Sequence, residues 1–365
     1  MSEKNIKLRW YLLPFAIIYG LITSIRNRLF DFNILKSSEF DIPVITVGNI
    51  STGGTGKTPH VEYIVKLLSE DFKVATLSRG YRRKTKGFII ASKNSTVYEI
   101  GDEPKQIKQK FNATEVVVDE KRVRGINKIL EKQTDFDLHA IILDDGFQHR
   151  YVQPGISILL IDYNRPITKD YLLPVGNLRE RAWRKKRANM IIVSKSPKEM
   201  KPIDGRIMEK ELNIFPYQSL FFTTFKYNEI ISVFGHNKYK GNLKDIEVLL
   251  ITGIAMPHPL IEHLNTFTDT INHLKFPDHY NYKNKDIESI CSAFSGMSGK
   301  NKIIITTEKD AMRIQDCKFS EKLKNLPLFY IPIEVEFLDE ENEKYFRKII
   351  IEYVRKNKRH SKLHN

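Results

Sequence analysis

The chain has 365 residues, 41% hydrophobic and 28% charged, with 59 Lys and Arg against 44 Asp and Glu for a net charge of +15. That length suits about two domains of roughly 150 residues each, and the composition excludes a disordered chain, a fibre and a polytopic membrane protein. Two cysteines, Cys291 and Cys317, cannot build a disulfide framework or a closely spaced zinc motif, so the chain reads as one for a reducing compartment, with a charge that asks for nucleic acid, anionic lipid or a phosphorylated substrate as partner.

From Trp10 to Ile25 the chain is almost continuously apolar, with Lys4, Lys7 and Arg9 before the run and Arg26 and Arg28 after it. At about 16 residues the run falls short of the ~20 that a spanning helix needs, and Pro14 and Gly20 interrupt it. No small-residue cleavage pattern follows, which argues against a signal peptide. Trp10, Tyr11, Phe15 and Tyr19, together with the flanking cations, predict a helix lying in a membrane interface. A helix packed on the protein's own core is the alternative.

Beyond residue 42, short apolar runs alternate with helical stretches. Strands are expected at Ile42–Val47, Val74–Leu77, Glu115–Val118, His139–Leu143, Ser157–Ile161 and Met190–Val193, with Phe88–Ile90 as an added strand. Helices are expected at Val61–Leu68 and Val123–Lys132. This alternation predicts an α/β fold with a doubly wound, mainly parallel sheet. A second unit follows a junction near residues 215–230. Its strands are expected at Val248–Ile251 and Lys302–Thr306, with one or two more in Leu328–Phe337. A helix is expected near Pro259–Leu264, and a last one at about Glu340–Arg355 runs into a basic tail.

The first expected strand leads into a loop with Thr52, Gly53, Gly54, Thr55, Gly56, Lys57 and Thr58. Between a strand and a helix, such a loop turns backbone N–H groups and a helix N-terminus toward phosphate. Lys57 can reach the β- and γ-phosphates and Thr58 can hold Mg²⁺. Ser51 stands where the motif expects its first glycine, and Pro59 is harmless in a first helical turn. Asp144 and Asp145 end an apolar strand, as carboxylates that hold Mg²⁺ beside a phosphate loop do; taken alone, they also suit a turn.

Several other motifs allow two readings each. The Arg79–Lys84 segment is either an anion site or a solvated basic loop. Asp102 and Glu103 form either a general-base turn or a helix start. The loop from Leu173 to Glu180 leads into the basic stretch Arg181–Arg187. His279 beside Asp278 is a candidate proton acceptor. Thr306–Asp310 is expected at a sheet's C-terminal edge, where ligands bind.

In this order, Val47–Asn49 with Gly53–Pro59, Ser78–Tyr81, Gly101–Pro104, Asp144–His149, Leu173–Glu180, Phe276–His279 and Thr307–Asp310 resemble the tetraacyldisaccharide 4′-kinase family, the lipid A 4′-kinases. Val175 and Asn177 depart slightly from the family pattern. The resemblance implies a P-loop NTPase-like core with a second, smaller α/β domain. The expected division is 1–36 for the membrane-associating helix, 37–220 for the kinase core and 221–365 for the smaller domain. A β hinge joins the two, with the last helix free to return to the core.

The implied activity moves the γ-phosphate of ATP to the 4′-hydroxyl of a tetraacylated disaccharide 1-phosphate, a late step of lipid A biosynthesis. The implied cofactors are ATP and Mg²⁺, and the implied place is the cytoplasmic face of the inner membrane, with no nucleic acid partner and no oligomeric state specified. By motif, Lys57 and Thr58 grip triphosphate and Mg²⁺. Asp102 acts as base with His279, and Asp144 and Asp145 serve the metal and the phosphoryl path. Asn49, Arg79, Glu103, Arg124, Gln148, His149, Arg179 and Glu180 line the acceptor site. The competing readings are a P-loop switch or assembly factor on an anionic partner, and a soluble small-molecule kinase.

Overall fold

The computed structural model describes residues 8–132, 137–235, 237–241, 244, 246–299 and 301–361, with side chains as far as residue 357. Lys4 and Lys7 lie outside that description, as do the side chains of residues 358–360 in the expected basic tail, whose backbone continues the last helix. Helix α1 (Leu13–Asp31) runs through both expected interruptions. Pro14 falls in its first turn, where a missing N–H costs nothing. Gly20 gives room to Leu172, whose Cδ1 would stand 2.8 Å from an added Cβ. Ala16, Gly20, Asn27 and Phe30 are buried, whereas Phe15, Ile17, Ile18, Leu21, Ile22 and Ile25 are exposed. Among the described residues no helix is long and apolar enough to cross a membrane.

Among the described residues fourteen strands form two sheets. The first eight are β1 (Val44–Gly48), β2 (Val74–Ser78), β3 (Ile89–Ile90), β4 (Glu115–Val118), β5 (Ala140–Asp144), β6 (Ile156–Asp162), β7 (Met190–Ser194) and β8 (Ser219–Tyr227). The remainder are β9 (Ile231–Ser232), β10 (Glu247–Thr252), β11 (Ile271–Lys275), β12 (Lys302–Thr307), β13 (Leu328–Ile331) and β14 (Ile333–Phe337). The large sheet has the order β14-β8-β7-β6-β1-β5-β2-β4-β3. It is parallel except for the outer strands β14 and β3. Strands β1, β2, β5, β6 and β7 are buried at every position, as expected of parallel strands covered on both faces. The second sheet, β11-β10-β12-β13-β9, is parallel except for β9.

The connecting helices are α2 (Lys57–Leu68), α3 (Val97–Ile100), α4 (Asp102–Lys110), α5 (Arg122–Glu131), α6 (Pro202–Leu212), α7 (His258–Leu264), α8 (Asn284–Ser295), α9 (Glu308–Gln315) and α10 (Glu340–Ser361). The expected junction at 220/221 falls inside β8, a strand of the large sheet. The apolar stretch Leu328–Phe337 proves to be two strands in different sheets. β13 completes the second sheet, and β14 returns across Pro332 to pair with β8. Helix α10 then packs on the large sheet through Phe346, Ile350 and Val354.

Candidate active site

The C-terminal end of β1 opens into the glycine loop. Gly56 caps α2 with φ at 84°, a left-handed conformation that glycine adopts without strain. A Cβ there would also lie 2.5 Å from Phe225 Cζ. Neighbouring side chains tie down the loop. Asn49 Nδ2 donates to Thr55 Oγ1 at 2.9 Å, and Ser194 Oγ donates to the Thr55 carbonyl at 2.8 Å. Arg165 donates to the Thr52 carbonyl at 3.2 Å. Lys195, paired with Asp162 at 2.6 Å, donates to the Gly54 carbonyl.

Across the loop, β5 delivers Asp144 and Asp145. Lys57 Nζ stands 3.6 Å from Asp145 Oδ1. Arg179 NH1 donates to Asp145 Oδ2 and to Gln148 Oε1, both at 3.3 Å. Burial alone would raise the Asp145 carboxyl, but the charges of Lys57 and Arg179 hold it below the usual range. Asp144 goes the other way. Burial, followed by the charges of Glu103 and Asp145, pushes it up to about 7. Its Oδ1 is buried without a hydrogen-bond partner in the structure. An orphaned carboxylate oxygen within reach of the Lys57 charge is the donor type that Mg²⁺ prefers. His149 is pushed down to about 4 by burial and by the charge of Arg122, with smaller effects from Arg79 and Arg26.

A second cluster joins the two sheets. Asp102 opens α4, and its Oδ1 accepts the Glu103 N–H at 3.0 Å. Its Oδ2 accepts from His279 Nδ1 at 2.9 Å and from Arg313 Nε at 3.0 Å. Arg313 NH2 reaches the same oxygen. Burial would raise the Asp102 carboxyl, but the His279 hydrogen bond and the charges of Arg313 and Lys309 hold it far below the carboxylate range. Glu103 pairs with Lys309. Burial would lower the Lys309 ammonium, but Glu103 and Asp102 lift it above its ordinary range. Because Asp144 feels both Glu103 and Lys309, the two clusters form one charged field.

The expected residues divide by placement. Lys57, Asp145, Gln148 and Arg179 are brought together around the loop, and Asp102, Glu103 and His279 at the sheet-to-sheet contact. Arg79 is exposed, and its charge reaches His149. Arg124 instead forks onto Asp119, at 2.9 and 2.6 Å, and also pairs with Glu120. Glu180 is buried against Arg187. Sequence reading missed Arg313, although it lies one helical turn after Asp310 and pairs with it at 2.8 Å. It also missed the inward side of α1. There Tyr19 donates to the Arg179 carbonyl at 2.9 Å and Arg26 to the Gln148 carbonyl at 3.2 Å. Nothing in a membrane-type apolar run signals those contacts.

The family model described as tetraacyldisaccharide-1-P 4'-kinase matches residues 8–353. The chain belongs to that family. It is 44% identical to the tetraacyldisaccharide 4'-kinase of Bacteroides thetaiotaomicron, with 99% of this chain and 97% of that one aligned. It is 45% identical to the enzyme of the same name from Phocaeicola vulgatus, over 99% of each. Among solved structures, the crystal structure of LpxK from Aquifex aeolicus in complex with ATP superposes with a TM-score of 0.74 at 30% identity. That match covers 95% of this chain and 99% of the other. As a member of this kinase family the protein is an ATP-dependent phosphotransferase on a P-loop NTPase-like fold.

Proposed function

We propose that the protein transfers the γ-phosphate of ATP to the 4′-hydroxyl of tetraacyldisaccharide 1-phosphate. It does so while docked on the cytoplasmic face of the inner membrane. The observation that carries this reading is the Asp102–His279 pair, drawn from two sheets and set in the same charged field as the phosphate loop. A sugar hydroxyl is a weak nucleophile, and a carboxylate–imidazole pair is the proton-accepting device that it needs. A nucleotide switch has no use for such a pair.

In this mechanism the loop from Thr52 to Thr58 and the α2 N-terminus hold the triphosphate. Lys57 and Arg179 neutralise charge that spreads over the transferring group. Thr58, Asp144 and Asp145 would hold Mg²⁺, which when bound supplies charge neutralisation on the phosphates. Gln148, His149, Asn49 and Arg79 flank the acceptor, while Arg124 and Glu180 are each held in their own ion pair. The exposed apolar face of α1 supports a peripheral membrane position. The unit around the large sheet, with β8, β14 and α10, and the unit around the second sheet act as two lobes that close on ATP and the lipid headgroup.

The test is transfer of label from γ-labelled ATP to purified tetraacyldisaccharide 1-phosphate presented in detergent micelles. A lipid product phosphorylated at the 4′ position is expected. Hydrolysis of ATP without a labelled lipid would overturn the acceptor assignment.

A further inference from the structure

A glycine loop holds phosphate through backbone N–H groups, so the direction of each of its peptides matters. The last of these peptides joins Gly56 to Lys57. A trans peptide sets its C=O and its N–H on opposite sides. With the Gly56 carbonyl turned inward, the Lys57 N–H turns outward, where the start of a helix leaves it without an intrahelical acceptor. A flipped peptide would instead put a carbonyl oxygen against the phosphate. Gly56 has no side chain and sits at φ 84° and ψ 28°, so it offers little steric barrier of its own to such a flip.

His60 supplies the restraint. The Gly56 carbonyl accepts from it twice, from the backbone N–H at 3.2 Å and from ring Nδ1 at 2.7 Å. A carbonyl only accepts, so Nδ1 carries the hydrogen. The lone pair of the neutral ring then lies on Nε2, which stands 3.0 Å from Thr223 Oγ1. The Thr223 hydroxyl donates there. His60 is 2% exposed, and burial pushes it down to about 4, so near neutral pH the ring is uncharged and keeps this one tautomer. Thr223 and Phe225 leave β8 on the same face, and Phe225 packs edge-on to the His60 ring at 6.1 Å. Strand β8 is itself paired on both sides, with β7 and β14. Contacts thus run from a fixed strand, through one imidazole, to a single peptide of the phosphate loop.

We propose that His60 is a positioning residue for the nucleotide: its Nδ1–H, oriented by Thr223, locks the Gly56–Lys57 peptide with the N–H facing the phosphates. This rests on the reading of the loop as the triphosphate site. A loop already in place loses little freedom when ATP arrives. The lock serves ground state and transition state alike, so its loss should appear in the KM for ATP and not in kcat.

The experiment is titration of ATP with Mg²⁺ into wild type, His60→Asn, His60→Gln, His60→Leu and Thr223→Val, each shown to be folded by circular dichroism, followed by steady-state assay. Asn places an amide N–H near the position of Nδ1, Gln places one near Nε2, and Leu keeps bulk with no donor. His60→Leu and His60→Gln should each raise the Kd for ATP about tenfold, as loss of one buried hydrogen bond would. His60→Asn should stay within about threefold of wild type, and Thr223→Val should fall between these limits. The KM for ATP should follow the Kd, with kcat and the KM for the acceptor nearly unchanged. A ring that only filled space would rank the variants the other way, because Leu keeps more of its volume than Asn. His60→Leu binding ATP as tightly as wild type, or His60→Asn binding it no more tightly than His60→Gln, overturns the proposal. The second comparison decides even where His60→Leu fails to fold. Wild-type protein that binds no ATP would instead overturn the reading of the loop.

Discussion

In the proposed mechanism Lys57 serves the triphosphate and Asp102 the proton-accepting pair, so their losses should differ. Lys57→Ala removes charge from the triphosphate, so kcat should fall by about 10²–10³-fold and the KM for ATP should rise. Asp102→Ala removes one half of the proposed carboxylate–imidazole pair, and should lower kcat by about 10²–10⁴-fold with ATP binding retained. Steady-state assays with nucleotide titrations distinguish the two patterns. At this scale the sequence was informative wherever a motif is continuous. The glycine loop, Asp144–Asp145 and the segment around Asp102 each stand in one stretch of chain. Arg313 stayed hidden because its role comes from reaching a carboxylate 211 positions away. Arg124 illustrates the opposite case, in which a basic residue near a motif is committed to its own acidic neighbours.

Among the elements, α1 and α10 each carry a prediction. The exposed stripe of α1 includes Ile18 at 56% and Ile22 at 61% exposure, unfavourable positions in water that an interfacial membrane would cover. Ile18→Glu with Ile22→Glu should reduce co-sedimentation with anionic vesicles several-fold while leaving the fold intact. Unchanged sedimentation would remove the anchor role. The same helix turns Tyr19 and Arg26 toward the Arg179 and Gln148 carbonyls, so the proposed docking face and the candidate site share one element. Helix α10 is held by Phe346, whose ring lies 5.3 Å from Phe221 and 5.2 Å from Phe337. Phe346→Ala should cost about 3–5 kcal/mol, read from urea unfolding. The existence of both helices was legible from apolar patterning. The buried side of α1 was not, because a run that is apolar almost all round gives no phase.

For the whole molecule, the contact between the two sheets is built from charge. Lys110 of α4 bridges Glu62 of α2 at 2.7 Å and Glu308 of α9 at 3.0 Å, and Lys105 pairs with Asp316 at 2.5 Å. One ammonium serves two buried carboxylates. Burial, followed by the charge of Glu62, pushes Glu308 up from its ordinary 4.5 to about 7. The folded chain then holds a proton that the unfolded chain releases. This contribution to stability is complete below the ordinary value and is lost as the pH rises through about 7. Glu308→Gln should therefore raise the melting temperature relative to wild type more at pH 8 than at pH 5. An equal difference at the two pH values would show that Glu308 does not titrate in that window.

The sequence by itself determined the strand-and-helix alternation, the phosphate loop and the ordered motifs of the family. Each of these depends on residues close together in the chain, where backbone preference and side-chain spacing are local. Only the tertiary structure decided which distant groups meet. The return of β14 to the large sheet, the closure of α9 over α4, and Arg313 and His279 converging on one oxygen of Asp102 all follow from packing between sheets. Such contacts are set by the summed burial of many side chains, and no short stretch of sequence encodes them.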